Sequence, residues 1–219
     1  MTFFPPDAEI PEPEETESSQ PSWWQAPEDE LPALLDVSQI LAATDHVAVA
    51  LVGIAVHSEG IQFRVERRLR RNGLPLRDWN ELCNAFMEHM SYAGSLDSPG
   101  RLRFGVVLAD GEKVLTDAFP FSRGGDSTVE PEGHTLSRRE QGGGGGGTTF
   151  SSADHLWIWP MPPAGPIELV MQWPAMGIDE TRLVIDASTL PELAARARPY
   201  WPHRLERSPR ATATRGPLR

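Results

Sequence analysis

Apolar and polar side chains alternate with a period of two through the last third of this chain, and that alternation constrains the fold most. In IELVMQW, residues 167–173, large apolar residues occupy every second position, and TRLVID, residues 181–186, repeats the period. Successive side chains of a strand point to opposite faces, so such segments bury one face. Pro and Gly separate the runs. The sequence predicts a mainly β fold, an antiparallel β-sandwich of immunoglobulin-like or jelly-roll-like type with one or two short peripheral helices.

Two further pairs of strands follow from the same reasoning. Residues 47–56, VAVALVGIAV, are apolar at nearly every position, which is typical of a central strand covered on both faces. Residues 61–70, IQFRVERRLR, alternate and return beside it as a hairpin. Arg67 interrupts the series of apolar residues on the inward face of this strand, so we expect the strand to leave the core there. A second hairpin is predicted over residues 101–119, around an Asp-Gly turn.

The remaining ordered segments are shorter. Residues 31–44 fit both a helix and a strand, and both alternatives stay open. Two short helices are predicted, over residues 78–90 and from residue 189 toward residue 201, because each begins with the residues of a capping box. Trp201, at the end of the second, is expected to cover an open edge or end of the sheet.

The chain divides into a domain and two tails. Residues 1–30 are rich in Pro, Glu and Asp, and with so little to bury they cannot offset an ordering cost of about 1–2 kcal/mol per residue. We predict a disordered acidic tail there, a single β-sandwich domain over residues 31–202, and a disordered basic tail over residues 203–219. Within the domain, residues 120–149 lack the alternation of apolar and polar residues and contain six consecutive glycines, which indicates a flexible Gly-rich insertion.

Charge is unevenly distributed along the chain. The net charge is -11, yet twelve acidic residues precede the first basic residue, Arg64, and the remainder holds 19 acidic against 20 basic residues. A neutral body with no basic face predicts no nucleic-acid partner. The single cysteine, the absence of a signal-peptide pattern at the start and apolar runs too short for a membrane helix predict a cytoplasmic protein without a membrane span.

The sequence contains no complete motif for catalysis, cofactor binding or metal binding. GxSxG, HExxH and Cys-x-x-Cys are absent, and the six histidines show no metal-ligand spacing. The glycine run 142–147 formally contains GxGxxG, but it lacks the preceding strand, the following helix and the lysine that a phosphate-binding loop requires. We therefore predict no catalytic, cofactor-binding or metal-binding residues. Cys83 is interpreted as a small buried hydrophobe.

Tryptophans supply the candidate sites. Trp23 and Trp24 form an aromatic pair inside the acidic tail; they either anchor the tail on the domain, which we prefer, or bind a partner protein. Trp157, Trp159 and Trp173 either fill the core or line a pocket as a platform for a sugar or an apolar ligand. Tryptophans at every second position of a strand more often fill the core than form a binding platform.

Three segments carry a resemblance: WIWP, ELVMQWPAMGI and ELAARARPYW. They resemble proteins of a family encoded in high-GC bacterial genomes to which no function is assigned. The resemblance covers roughly residues 47–201 and implies one β domain, with no functional residues attached. The sequence thus favours a non-catalytic interaction or structural module, with another protein as the candidate partner of the acidic tail. The alternative is a small-ligand or carbohydrate binder, or an enzyme, with a Trp-lined pocket.

Overall fold

Two antiparallel sheets stack face to face in a computed structural model of the protein, which describes residues 20–87, 100–116 and 129–201. The larger sheet has six strands, in the order β2 and β3, then β4, β5, β9 and β8. These are β2 (Ala33–Leu35), β3 (Gln39–Ala43), β4 (Val47–Val56), β5 (Ile61–Arg70), β8 (Thr135–Gly145) and β9 (Thr149–Trp159).

The smaller sheet has four strands in the order β11, β10, β6, β7. These are β6 (Arg103–Val107), β7 (Lys113–Leu115), β10 (Pro166–Trp173) and β11 (Ile178–Asp186). β11 lies beside β3 and β7 beside β8, so the two sheets also approach each other at their edges. A separate two-stranded ribbon joins β1 (Glu30–Leu31) to β12 (Arg198–Pro199).

The helical elements are peripheral. They are α1 (Leu76–Met87), α2 (Leu190–Ala194) and a 3-10 turn at Pro174–Met176. Trp79 and Phe86 of α1 and Leu193 of α2 are buried against the sandwich. The predicted antiparallel β-sandwich with two short helices is confirmed; its immunoglobulin-like or jelly-roll-like type stays a prediction.

The core lies between the sheets, where the predicted alternation places it. Every second residue of β10 is buried, and these side chains join those of the larger sheet in one continuous apolar cluster. Trp173 is fully enclosed there. At about 25 cal/mol per Å², burying one indole contributes at most about 4–6 kcal/mol. The alternating positions therefore supply much of the free energy that holds the sheets together.

A β-bulge in β4 changes which residues face the core. Leu51 pairs with Val65, but Gly53 pairs with Arg64, so one extra residue is inserted between them. Gly53 has a φ of +154°, a conformation that favours glycine. Inward positions are odd-numbered before the bulge and even-numbered after it. The central strand is confirmed, while Val52 on the bulge is exposed to solvent.

Residues 31–44 resolve to strands, since β2 and β3 both pair with β4. The hairpin of β6 and β7 is confirmed as far as residue 115. The second helix is shorter than predicted: Thr189 makes no side-chain cap, α2 ends at Ala194, and residues 198–199 form β12. Trp201 is 72% exposed and covers no sheet edge. Arg198, which is followed by Pro199, pairs with Leu31 in the ribbon and does not continue the helix.

The prediction of a flexible loop over residues 120–149 is wrong for residues 135–145, which form the edge strand β8. The sequence of β8 lacks the alternation of apolar and polar residues, because the inward positions after Leu136 are charged and the strand ends in glycines. A side chain at Gly143 would come within 2.6 Å of the carbonyl oxygen of Ser151 and 3.1 Å of the Phe150 ring. Glycine there allows the ring to pack over the hairpin. Residues 120–128 of the predicted loop and residues 117–119 of the predicted hairpin lie outside the described residues.

Parts of both predicted tails also lie outside the described residues, namely 1–19 and 202–219. The end of the predicted first helix, residues 88–90, lies there too. Residues 20–30, in contrast, are described, and they pack on the domain. The prediction of a disordered tail is therefore wrong for this part of the chain.

Candidate functional site

Residues 20–31, which we call the N-terminal segment, lie on the outer face of the six-stranded sheet, the face turned away from the sandwich core. The indole Nε1 of Trp157 donates a hydrogen bond to the carbonyl oxygen of Ser22 (2.8 Å), and Oγ of Ser137 donates to that of Trp24 (2.7 Å). Both donors belong to outward positions of neighbouring strands. Two sheet side chains thus hold the backbone of the segment in place.

Aromatic contacts reinforce this attachment. The ring centroids of Trp23 and Trp159 are 5.8 Å apart with a tilt of 54°, a favourable geometry for an aromatic pair. The Trp157 ring lies directly over Gly60, at which a Cβ atom would be 2.7 Å from the ring. The placement of Trp23 and Trp24 matches the anchor interpretation. Binding of a partner by this pair stays a prediction.

The three tryptophans proposed as one ligand platform are not brought together. Trp157 and Trp159 are two residues apart and therefore share the outer face of β9, whereas Trp173 points into the core from the opposite sheet. Trp157 is 2% exposed beneath the N-terminal segment, and Trp173 contacts Phe86 at 5.3 Å between ring centroids. A single platform made from these three rings is excluded.

A pocket of about 260 Å³ opens between the N-terminal segment and the sheet. We call it the outer-face pocket. Its walls come from the N-terminal segment, the residue after β4, the outward positions of β5, β8 and β9, and the residue after β12. They include Trp24, Gln25, Glu30, His57, Gln62, Arg64, Ser137, Arg139, His155, Trp157 and Tyr200.

Strand register places the polar residues of this pocket in one row. Arg64 of β5 pairs with His155 of β9, and His155 pairs with Arg139 of β8. On the other side Arg64 pairs with Gly53, whose missing side chain leaves the row open toward β4. Side chains directly opposite each other lie about 4.5–5.5 Å apart at Cβ. The fold therefore aligns two guanidinium groups and an imidazole across three strands.

Two buried nitrogen atoms in the pocket have no hydrogen-bond acceptor among the described residues. They are Nε of Arg64 and Nδ1 of His57. Nδ1 of His57 lies 3.2 Å from a carboxylate oxygen of Glu30 but lacks the alignment of a hydrogen bond. Buried polar groups without a partner cost about 1–3 kcal/mol each, so they are rare and usually have a reason.

Both imidazoles of the pocket favour the neutral form. Burial lowers the pKa of His57 most, the carboxylate of Glu30 opposes that change, and the charge of Arg64 adds to it. Burial also lowers the pKa of His155, and Arg64 and Arg139 lower it further against the opposing effect of Asp154. A neutral imidazole carries one N–H donor and one acceptor nitrogen. Near neutral pH the pocket thus holds guanidinium charge and neutral imidazoles.

Ser58, Glu30 and His57 lie together at the pocket wall. The hydroxyl of Ser58 donates to Glu30 (2.6 Å), and the backbone N–H of Ser58 donates to the other carboxylate oxygen (2.8 Å). A nucleophilic serine requires its hydroxyl to donate to a base that a third group orients. Here the hydroxyl donates its hydrogen bond to the carboxylate of Glu30 and not to the imidazole. The arrangement orders a turn and resembles no nucleophile–base relay.

A second group of charged residues lies inside the sandwich. Arg67 and Asp154 are both fully buried, and Nε of Arg67 donates to Oδ2 of Asp154 (2.6 Å). Oδ1 of Asp154 accepts from Nε of Arg138 (2.8 Å), and Nη2 of Arg67 donates to Glu140 (2.7 Å) and Ser152 (2.9 Å). We call these five residues the core ion network. It carries two positive and two negative charges and is electrically balanced.

Aromatic rings complete the surroundings of this network. The guanidinium carbon of Arg67 lies 5.2 Å from the centroid of Phe86 and 5.5 Å from that of Trp173. Such contacts favour a desolvated cation. The prediction that β5 leaves the core at Arg67 is wrong: β5 continues to residue 70, and Arg67 points inward with compensation for its charge. Its position in the odd-numbered inward series was the signal for this burial.

The remaining residues considered at the sequence level carry no site. Burial raises the pKa of the Cys83 thiol, so this cysteine is less reactive than an exposed one. Within the described ranges, no three His, Cys, Asp or Glu side chains converge as metal ligands. No helix in the same ranges is long and apolar enough to cross a membrane. Comparison with protein families, curated proteins and solved structures found no match.

Proposed function

We propose that the protein is a non-catalytic binding module and that its partner or ligand engages the outer-face pocket. One observation carries the proposal: an open pocket contains a buried guanidinium nitrogen, Nε of Arg64, with no acceptor among the described residues. A polar group that the fold leaves unpaired at the wall of a pocket points to a partner that the described residues do not supply. Five separate parts of the chain contribute residues to this pocket, which supports a role beyond packing.

The edge of the pocket adds an apolar contact surface. Tyr200 and Trp201 are 52% and 72% exposed, and their ring centroids lie 5.9 Å apart. The backbone N–H of Tyr200 donates to the carbonyl oxygen of Asp29 (2.8 Å), next to the ribbon of β1 and β12. Large exposed aromatic residues beside a polar pocket are typical of interaction sites. The aromatic pair and the polar pocket together provide the two kinds of contact that a partner requires.

Catalysis receives less support from the same residues. The serine hydroxyl at the pocket wall is committed to a carboxylate, and both imidazoles are held next to a guanidinium that disfavours their protonation. A general base needs a reacting proton within reach and a pKa near the working pH. Lowered imidazole pKa values beside positive charge favour binding over proton transfer.

The carbohydrate-binding alternative rests on exposed indole faces. Trp157 and Trp173 are buried, which speaks against stacking on their faces, whereas Trp159 is only half-buried. The alternative therefore stays a prediction for Trp159, and the exposed ring of Trp201 offers a further indole face. We also propose a cytoplasmic location, which the single cysteine favours.

Comparative affinity capture tests the proposal. The full chain and the variants Arg64→Glu and Tyr200→Ala are immobilised and exposed to extract from the source cells, and bound proteins and metabolites are quantified. Val184→Ala is the matched control, because Val184 is exposed on the smaller sheet, away from the pocket. We expect a bound species to decrease about tenfold or more with both pocket variants and to stay unchanged with the control. Equal capture by all four proteins would contradict the proposal.

A further inference from the structure

Hydrogen-bond donors dominate the polar lining of the outer-face pocket. Arg64 presents a guanidinium group, and neutral His57 and His155 can each present one N–H. Two carboxylates line the pocket: Glu30 already accepts two hydrogen bonds from Ser58 and lies 3.2 Å from His57, and Glu28 is largely exposed to solvent and lies 3.9 Å from Arg139. The acceptors of the wall are thus largely engaged, whereas donors remain.

The charge of Arg64 lacks a fixed counter-charge among the described residues. Its outward neighbour Arg139 is hydrogen-bonded to the neutral side chain of Gln25 and lies 3.9 Å from Glu28, which is largely exposed to solvent. Glu66 on the same strand is paired with Arg68. Arg64 therefore adds positive charge to a partly desolvated site where electrostatic interactions are stronger than in water.

Volume limits the ligand further. A pocket of about 260 Å³ is at the lower end of the range for small-molecule sites, so it accepts a small group but no folded segment. Guanidinium groups bind planar or tetrahedral oxyanions through parallel N–H donors. We propose that the outer-face pocket binds the carboxylate or phosphate group of a ligand, with Arg64 as its charged partner and His57 and His155 as additional donors. This inference rests on the proposed function only in taking the pocket to be a binding site.

Titration calorimetry with inorganic phosphate and, separately, with acetate tests this inference on the full chain. Chloride at the same ionic strength is the reference for non-specific screening. We expect saturable binding of at least one of the two anions, and the tighter one identifies the ligand group. Arg64→Gln is expected to weaken that binding on the order of tenfold to a hundredfold, since it removes a charged hydrogen-bonding group.

Arg68→Gln is the matched control, because Arg68 is on the same face of the same strand but outside the pocket. It should change the affinity less than about twofold. Arg64→Lys, which keeps the charge but loses the planar group, should give an intermediate affinity and guards against loss of folding in Arg64→Gln. Absence of saturable binding, or equal losses with Arg64→Gln and Arg68→Gln, would overturn the inference.

The two proposals fail in different ways. If pocket variants leave affinity capture unchanged while phosphate or acetate still binds at Arg64, the proposed function fails and the oxyanion site stands. If capture depends on the pocket but neither anion binds, only the oxyanion inference is overturned.

Discussion

Replacing Asp154 tests the most unusual part of the core. Asp154 is fully buried and accepts hydrogen bonds from two arginines, Arg67 at 2.6 Å and Arg138 at 2.8 Å. Asp154→Asn keeps the size of the side chain but removes the charge, so the buried guanidinium of Arg67 loses its main compensation. Breaking a buried ion pair by removing one partner costs about 3–5 kcal/mol. For a chain of this size, that corresponds to a fall in melting temperature of about 6–20 °C.

Urea denaturation followed by tryptophan fluorescence measures this loss, with Glu168→Gln as the matched control. Glu168 pairs with Arg182 at 2.9 Å on the exposed face of the smaller sheet, where such pairs contribute about 0–1 kcal/mol. The double variant Arg67→Met with Asp154→Leu should recover most of the loss, because apolar residues replace the two fully buried charges, and the charges that remain, Arg138 and Glu140, are opposite in sign and partly exposed. An Asp154→Asn protein within about 1 kcal/mol of the wild type would refute the reasoning.

Three further predictions concern the packing on the larger sheet and its pH dependence. Gly60→Ala should lower the free energy of unfolding by about 1–3 kcal/mol, because the added Cβ atom would collide with the backbone and an indole ring of β9. Gly144→Ala is the control, since a Cβ atom there meets open space and should change the free energy of unfolding little. Urea denaturation measures both variants. A chain that begins at Leu31 should be less stable by about 2–4 kcal/mol, since it loses the hydrogen bonds that Ser137, Trp157 and Arg139 donate to the N-terminal segment, those of Ser58 to Glu30, and one aromatic contact; unchanged melting would exclude the anchor. Burial lowers the pKa of His57 and His155 below 6.5 in the folded protein, so on acidification the unfolded chain takes up protons first. The stability that these neutral histidines contribute is therefore complete above pH 6.5 and falls as the pH drops below that value. It levels off once the pH is below the pKa values of the folded state. Replacing both by Gln should flatten the dependence of melting temperature on pH between about pH 7.5 and 5, and an unchanged slope would contradict this assignment.

The alternating strands could be predicted because their signal is local. In β10 each inward residue from Ile167 to Trp173 is large and apolar, and each is buried. The same holds for Phe104 and Val106 of β6. Side-chain hydrophobicity alone decides these positions, so the sequence determines their orientation without knowledge of the partner strand.

Strands whose inward residues are charged could not be predicted in this way. Arg67 and Asp154 lie at inward positions 87 residues apart in sequence, and each is tolerated in the core only because the other is present. β8 adds Arg138 and Glu140 to the same network. Compensation of this kind is a property of the assembled sheet, and no local pattern contains it.

The candidate site was missed for a similar reason. The local sequence around each pocket residue is typical of a solvated strand or turn, and this holds for Arg64, His57 and His155. Only the pairing of the strands places these residues around one pocket. The acidic composition of the first thirty residues predicted disorder, but the backbone carbonyl groups of Ser22 and Trp24 find donors on the sheet. Trp23 and Trp24 were the one signal that part of this segment packs on the domain.

The histidine ring signals in a long-range proton–nitrogen NMR spectrum test the central claim, binding at the outer-face pocket, most directly. On addition of inorganic phosphate and, in a separate titration, of acetate, the signals of His57 and His155 should move in a saturable way with at least one of the two anions in the wild type and stay still in Arg64→Gln. His46 and His134, whose rings contact Arg70 and Glu112 elsewhere on the surface, serve as internal references and should not move. Pocket histidines that remain unchanged in the wild type, or reference histidines that shift equally, would contradict the account.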